Sequence, residues 1–433
     1  MTNRRYFGTD GIRGVAGDDL TTDLVERIGR AATRWSEKSA TSGKGSDPGR
    51  VLIGRDTRGS GPELEAALAR GIVSAGGTAV LAGVLPTPAV ALLAPDMGAV
   101  VSASHNPPEY NGIKLFDGGR KLTDEEEEAI EALLDAPAHA NGGGSIERLD
   151  GAGETYLRHI VDRFGSDLSG LRIGVDCANG AFSALAPAVF EELGAEVHAI
   201  GTEPNGSNIN VGCGATDLGR LQQTVTRSEL DLGVAFDGDG DRMLAVDERG
   251  EPLDGDQILA ILALSLGVEL VAVTVMTNLG FHRLMAEHGV RVVTTPVGDR
   301  YVLEALRRDG GLLGGEQSGH IVWLGSHVAG DGLAAALLLC SALGGRKLSE
   351  AAAVMPRYPQ AKQNVRVRPG TEIPKSILDE ADRLTEELGE RGRVLVRPSG
   401  TEPVVRVLAE AETAKRAGEI CASIAALVSK ELG

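Results

Sequence analysis

The chain has 433 residues, 42% of them hydrophobic and 24% charged, a balance that excludes a disordered chain. Its 43 basic and 61 acidic residues leave a formal net charge of −18, so the surface as a whole repels nucleic acid and anionic membranes. Four cysteines without a CxxC pair exclude a disulfide scaffold and a zinc ribbon, and they suit a reducing, cytoplasmic compartment.

Aromatics are only 3%, so the cores must be built from Ala, Val, Leu and Ile, and 59 glycines imply many tight loops at strand ends. Arg4 and Arg5 imitate a twin-Arg signal, but no apolar stretch comes after them. A Gly-rich loop, FGTDGIRG (7–14), comes first, and Ser36–Arg50 reads as a polar Ser/Gly loop. Then VLIGRD (51–56) predicts a strand, followed by a helix to Ala75 and a second strand, TAVLAG (78–83). LRIGVD (171–176), a helix through Glu192 and AEVHAIG (195–201) repeat the pattern. VAVTVM (271–276), a helix holding Phe281 and Leu284, and VRVVTT (290–295) form a third copy, and the I-G-x-D shared by the first two hints at duplication. Short apolar strands alternating with helices predict an α/β fold with mixed, mostly parallel sheets, whose ligands sit at the carboxyl ends of strands.

The punctuation between these copies is legible. Thr123 with Glu126 is a capping box opening an acidic helix whose EEEE run reads as a solvated face. Breaks are expected at Ala136–Ser145, Glu248–Pro252 and Met355–Gln363. Ile258–Met276 is apolar enough to raise the question of a membrane span, but Ser265, Gly267 and Glu269 make it a buried helix running into a buried strand. Beyond Gln363 the order becomes strand (364–368), helix (374–390), strand (393–397), strand (404–411) and helix (413–430), an α+β module. Four domains result: 1–150, 151–250, 251–357 and 358–433.

Five segments bear chemistry. In Asp237-Gly238-Asp239-Gly240-Asp241-Arg242, glycines allow a tight turn that converges three carboxylates. At ~4 Å each pair repels by roughly 1–4 kcal/mol, so a cation must offset them, and hard oxygen ligands suit Mg²⁺ or Ca²⁺. A calcium EF-hand would place Glu248 at its twelfth position, but Arg242 stands where that loop needs Gly and the flanks are strands. In VVSASHNPPEYNGIKLF (100–116) a strand delivers Ser102 and Ser104 into a loop stiffened by Asn106-Pro107-Pro108. His105 adjoins Ser104, but neighbours on a strand point to opposite sides, and no GxSxG elbow exists, so a Ser–His hydrolase pair is not implied. A serine beside a carboxylate-bound divalent cation suits phosphoryl transfer. Lys114 is either an exposed strand lysine or a general acid/base beside that serine.

GGEQSGH (314–320) offers hydrogen-bonding side chains between small residues, suited to a polyol or amino-sugar ring, although alone it reads as a polar turn with His320 entering the core. RPSGTEP (397–403), with Arg406 beyond, is either a hairpin turn or an anion nest for a sugar phosphate. FGTDGIRG places Thr9 and Arg13 in its loop, and no phosphate-binding nucleotide motif occurs.

FGTDGIRG, SASHNPPEYNGIK, DGDGDR, GGEQSGH and RPSGTEP, in this order and spacing over nearly the whole chain, resemble the α-D-phosphohexomutase superfamily. NINVGCGATD (208–217) and TPVGDRYVLEAL (295–306) resemble its phosphoglucosamine branch. The resemblance implies three related α/β domains and a C-terminal domain like the TATA-binding protein around a central cleft. It implies that Ser104 is a phosphoserine required for activity, and that Asp237, Asp239 and Asp241 hold one Mg²⁺ together with a Ser104 phosphate oxygen. Glu316 and Ser318 would bind sugar hydroxyls, and Arg397, Ser399, Gly400 and Thr401 the non-reacting phosphate. Lys114 and His320 are its acid/base candidates, while Arg242, Thr9 and Arg13 would complete the cleft. The implied reaction converts glucosamine 6-phosphate to glucosamine 1-phosphate through a 1,6-bisphosphate, towards UDP-N-acetylglucosamine. The same mechanism on glucose or mannose phosphates is the alternative. A hexosamine phosphate partner, no nucleic acid or membrane, and a monomer or homodimer are expected.

Overall fold

A uniformly apolar strand is stable only when both of its faces are covered, and two strands obey that rule throughout: every residue of Met97–Val101 and of Leu232–Phe236 is buried. The computed structural model describes residues 5–8, 10–40, 49–94, 96–135, 143–325, 327–368, 371–399 and 403–433. The first sheet has seven strands, in the order Ile12–Val15, Tyr110–Asp117, Met97–Val101, Arg50–Arg55, Thr78–Val84 and Ser145–Arg148, with Arg120–Lys121 paired to Tyr110–Asp117. Met97–Val101, Arg50–Arg55 and Thr78–Val84 run parallel, and Tyr110–Asp117 returns antiparallel beside Met97–Val101.

The second sheet repeats this plan with five strands: Pro252–Leu253, Met243–Asp247, Leu232–Phe236, Arg172–Asp176 and Glu196–Ile200. Its last three are parallel and Met243–Asp247 is the antiparallel return. In the four-stranded third sheet Leu270–Thr274 and Leu313–Gly315 run parallel, and Ile321–Trp323 returns beside the latter. Each of these sheets therefore turns from a parallel strand into an antiparallel one, and those three turns carry Ser104, the three aspartates and GEQSGH. The C-terminal sheet is wholly antiparallel, in the order Gln360–Arg366, Val404–Glu410, Arg393–Pro398. Helices Lys375–Leu388 and Ala414–Leu432 bury Ile377, Leu384, Ile420 and Ile424 with it in one core.

Contacts divide the chain into two compact units, Met1–Val275 with Val293–Ala353, and Met276–Val292 with Val354–Gly433. Three expectations need adjustment, and one about a long apolar stretch holds. Helix Thr22–Ala40 runs five residues into the stretch expected as a Ser/Gly loop, because Trp35 packs on the first core and Glu37 and Lys38 are good helix formers. The acidic helix Asp124–Glu131 does open on the Thr123/Glu126 capping box, but its acidic run is not wholly solvated. Glu127 is buried 3.2 Å from the Arg300 guanidinium, which also pairs with Asp124 at 2.6 Å, a long-range partner that helix periodicity does not reveal. The strand expected at 364–368 begins at Gln360, since pairing with Val404–Glu410 rather than apolar alternation defines it. Ile258–Met276 resolves into helix Gly255–Leu266 and strand Leu270–Thr274, and among the described residues no helix is long and apolar enough to cross a membrane.

His282, on helix Leu279–Glu287 in the C-terminal unit, is pushed down to about 4 by burial and by the Arg393 guanidinium. The unfolded chain binds this proton near ~6.5, so the group's stabilisation is complete above that pH and is lost as pH falls towards about 4, on the order of 3 kcal/mol. His282→Gln is expected to lose less stability than the parent chain between pH 7 and pH 4 in urea titrations, and equal losses would contradict this burial.

Candidate active site

Ser104 lies just beyond strand Met97–Val101 and adopts a left-handed backbone, φ 53°, which costs a residue with a Cβ about 1–3 kcal/mol. Its backbone N–H donates to Ser102 Oγ at 2.9 Å. The side chain is fully buried and donates from Oγ to Asp237 Oδ2 at 2.5 Å. That backbone turn overturns the expected divergence of Ser104 and His105: strand alternation has already ended, and His105 Nδ1 lies 3.2 Å from Ser104 Oγ. Burial, reinforced by Arg242 and Arg13, lowers His105 to about 4, so it meets the hydroxyl as a neutral ring near pH 7.

The aspartates occupy the turn between Leu232–Phe236 and Met243–Asp247. The spacers must be glycine. A Cβ at Gly238 would stand 2.6 Å from the Ser104 carbonyl oxygen, and one at Gly240 (φ 78°) 2.4 Å from the Phe182 ring. Asp237, Asp239 and Asp241 are all buried, and one oxygen from each lies within 4.8 Å of the others. Thr87 Oγ1 donates to Asp239 Oδ2 at 2.6 Å, and Lys114 Nζ lies 2.7 Å from the same oxygen and 2.9 Å from Asp241 Oδ2. Lys114 is thus a buried site lysine and not an exposed strand lysine.

Burial, then repulsion from Asp241 and Asp239, pushes the Asp237 carboxyl well above the usual range. Burial works the same way on Asp241, but Lys114 and His320 hold it well below. Asp239 Oδ1 and Asp241 Oδ1 are buried and accept no hydrogen bond among the described residues. Three buried carboxylates with vacant acceptor oxygens and a single lysine between two of them fit a hard divalent cation, since uncompensated buried charge is strongly unfavourable. Glu248, the EF-hand candidate, is turned away and accepts from Ser349 Oγ at 2.6 Å.

Around this cage runs a closed circuit of alternating charge. Lys114 pairs with Asp10 at 3.0 Å, Asp10 with Lys121, Lys121 with Asp299, and Asp299 Oδ2 with His320 Nε2 at 3.2 Å. His320 Nδ1 then lies 3.8 Å from Asp241 Oδ1. Burial disfavours the charged forms of Lys114 and His320. The surrounding acids outweigh it, Asp10 and Asp239 for Lys114 and Asp299 and Asp241 for His320, and raise both groups above their usual values. Sequence reasoning gave no role to Asp10, Lys121 or Asp299. The first and last lie inside motifs already singled out, whereas Lys121 lies in none.

Arg242 donates its backbone N–H to Asp237 Oδ1 at 3.1 Å and holds its guanidinium 3.8 Å from Asp241. Arg13 donates to Asn106 Oδ1 at 3.0 Å and pairs with Asp10. Glu316 is half-buried and accepts from the Gly298 N–H at 3.0 Å, while Ser318 is exposed on the same turn. Gln317 donates to Asp256 at 3.1 Å. In the C-terminal unit Arg397 and Arg406 are directly opposed across the Arg393–Pro398/Val404–Glu410 ladder, and Arg406 donates to Ser399 Oγ at 3.2 Å. Thr9, Gly400 and Thr401 lie outside the described residues. The structure therefore brings Ser104, Lys114, Arg242, His320 and the three aspartates together in the larger unit.

Four family models match in succession: phosphoglucomutase/phosphomannomutase alpha/beta/alpha domain I at residues 4–140, domain II at 154–250, domain III at 254–358 and the C-terminal domain at 363–427. A phosphoglucosamine mutase from Symbiobacterium thermophilum is 47% identical over 452 residues, and one from a Thermoanaerobacter species 43% over 452, each match covering 99% of both chains. The crystal structure of a phosphoglucomutase/phosphomannomutase family protein from Burkholderia thailandensis is 27% identical, with a TM-score of 0.82 over 100% of this chain and 99% of its own. The chain belongs to the α-D-phosphohexomutase superfamily and, within it, to the phosphoglucosamine mutase family.

Proposed function

We propose that the chain interconverts glucosamine 6-phosphate and glucosamine 1-phosphate, with Ser104 as the group that carries the phosphoryl. The observation that carries this reading is the buried Ser104 hydroxyl donating to Asp237 at 2.5 Å beside two further buried aspartates. Asp237, Asp239 and Asp241, with a phosphate oxygen on Ser104, would hold Mg²⁺, which when bound neutralises phosphoryl oxygens. Starting from phospho-Ser104, the bond from phosphorus to Oγ breaks as a bond forms to the C1 oxygen of glucosamine 6-phosphate, and that oxygen's proton passes to a base. The 1,6-bisphosphate turns over in the site. Its 6-phosphoryl then passes to Ser104 Oγ, and glucosamine 1-phosphate leaves.

Lys114 and His320, both raised by the acids around them, serve as the acid/base pair: one gives a proton to the oxygen that loses a phosphoryl group and the other takes the proton of the hydroxyl that gains it. Arg242 and Arg13, beside Asp241 and Asp10, would complete the cleft around that group. Burial of Ser104 supports the exclusion of water that a phosphoserine needs to survive. Glu316 and Ser318 would take sugar hydroxyls, and Thr9 would join Arg13 in the cleft. Arg397, Ser399, Gly400 and Thr401 would hold the non-reacting phosphate. Arg397 and Arg406 stand opposite each other on one ladder and Arg406 donates to Ser399 Oγ, which gathers anion-binding residue types at that turn and supports the assignment. The four successive family matches support domains divided at 1–150, 151–250, 251–357 and 358–433. The same reading makes it a cytoplasmic enzyme, monomeric or homodimeric.

Ser104→Ala is expected to lower turnover of glucosamine 6-phosphate at least about a thousandfold and to abolish phosphate incorporation in phosphopeptide maps. Retained turnover would overturn the assignment of the nucleophile. In a comparison of kcat/KM, glucosamine 6-phosphate is expected to exceed glucose 6-phosphate and mannose 6-phosphate by at least about tenfold, and a preference for either hexose phosphate would overturn the choice of sugar.

A further inference from the structure

Arg58 is the largest fully buried side chain among the described residues, at 1% exposure, and it touches none of the acidic groups of the cage. Its Nε donates to Asp56 Oδ2 at 2.8 Å. Nη1 donates to the Tyr110 carbonyl at 2.9 Å and to that of Pro107, and Nη2 donates to the carbonyls of Ser104 and Asn106, both at 2.9 Å. All five donors of the guanidinium are thereby used, four of them on the loop that carries the nucleophile.

Asp56 Oδ2 also accepts from Ser102 Oγ at 2.6 Å, and that same Oγ accepts the Ser104 N–H at 2.9 Å. Asp56, Arg58 and Ser102 thus grip the N–H and the C=O of Ser104 at once. From the second α/β repeat, Asn210 Nδ2 donates to the Ser104 carbonyl as well, at 2.9 Å.

The second α/β unit shows that this grip is more than a feature of the local hydrogen bond. Asp56 Oδ1 accepts the Arg58 N–H at 3.0 Å, and in the second repeat Asp176 Oδ1 accepts the Ala178 N–H at the same 3.0 Å. That hydrogen bond is common to both copies, although Ala178 is left-handed (φ 55°) and Arg58 is not. Only the copy that delivers Ser104 places an arginine there.

We propose that Arg58, oriented by Asp56 and Ser102, is the positioning residue that holds Ser104 in its left-handed conformation with Oγ aimed at the aspartate cage. This rests on the reading of Ser104 as the phosphoryl carrier. A lysine has three donors on one atom and cannot span the four carbonyls. In Arg58→Lys, kcat on glucosamine 6-phosphate is expected to fall about a hundredfold with KM within about threefold, because misplacing a reacting atom costs the chemical step more than binding. Ser102→Ala removes a single oxygen and serves where the lysine variant does not fold. Its kcat is expected to fall about tenfold with KM unchanged. In both variants, phosphorylation of Ser104 by glucosamine 1,6-bisphosphate, monitored by intact mass, should slow in parallel with kcat.

A folded variant that keeps kcat within about twofold of the parent, or that loses only in KM, overturns the proposal. Phosphopeptide mapping of the parent chain separates the two failures. Phosphate found away from Ser104 defeats the functional reading itself, whereas phosphate on Ser104 with unimpaired variants defeats only the role of Arg58.

Discussion

Three carboxylates with almost no exposure cannot lie within 4.8 Å of one another unless positive charge is supplied from close by. Most of what is distinctive in the larger unit answers that constraint. Lys114 is drawn from strand Tyr110–Asp117 into contact with Asp10, Asp239 and Asp241. Lys121 and His320 extend the compensation through Asp299, so that acids and bases alternate around a closed circuit. The compensation stops short at Asp237, whose carboxyl is raised by burial and by its neighbours, and at two acceptor oxygens that no side chain satisfies among the described residues. A divalent cation fits that remaining deficit, and Ser104 is hydrogen-bonded to its edge.

The fold reaches this arrangement by using one device three times. In each α/β sheet a parallel strand ends, the chain turns, and an antiparallel strand returns beside it. A parallel strand's carboxyl end is where backbone and side chains are free to face a ligand, and the return strand fixes the loop at its other end. One copy of the turn presents a hydroxyl, one presents carboxylates, and one presents hydrogen-bonding groups and a histidine. The three sheets supply similar positions, and the residues at them differ in chemistry. Arg58 and Ala178 differ in the same way: each donates its N–H to the aspartate two residues before it, and only the arginine side chain reaches the Ser104 loop.

Much of this was legible in the sequence because it is local. The strand that delivers Ser104 and the strands flanking the aspartates were readable from their residues, and DGDGD announced itself through spacing alone. Thr123 and Glu126 named their own helix start. What escaped was non-local or depended on a backbone angle. Glu127 looked solvated because its partner Arg300 lies 173 residues away. Lys121 sits on a two-residue strand with no motif around it, and only the fold brings Asp10 and Asp299 to its ammonium. The Ser104–His105 contact was misjudged because alternation holds only in extended backbone, and Ser104 has left it. Arg58 lies just beyond the VLIGRD strand and drew no reading, because its four carbonyl partners lie some fifty residues on.

The central claim is that the buried aspartates form one divalent-cation site at the Ser104 hydroxyl. Calorimetric titration of metal-stripped protein with Mg²⁺ tests it most directly. One saturable site per chain is predicted, weakened at least about tenfold in Asp239→Asn while the fold, monitored by circular dichroism, is retained. Absence of saturable binding in the parent chain, or an affinity unchanged by Asp239→Asn, would contradict the account.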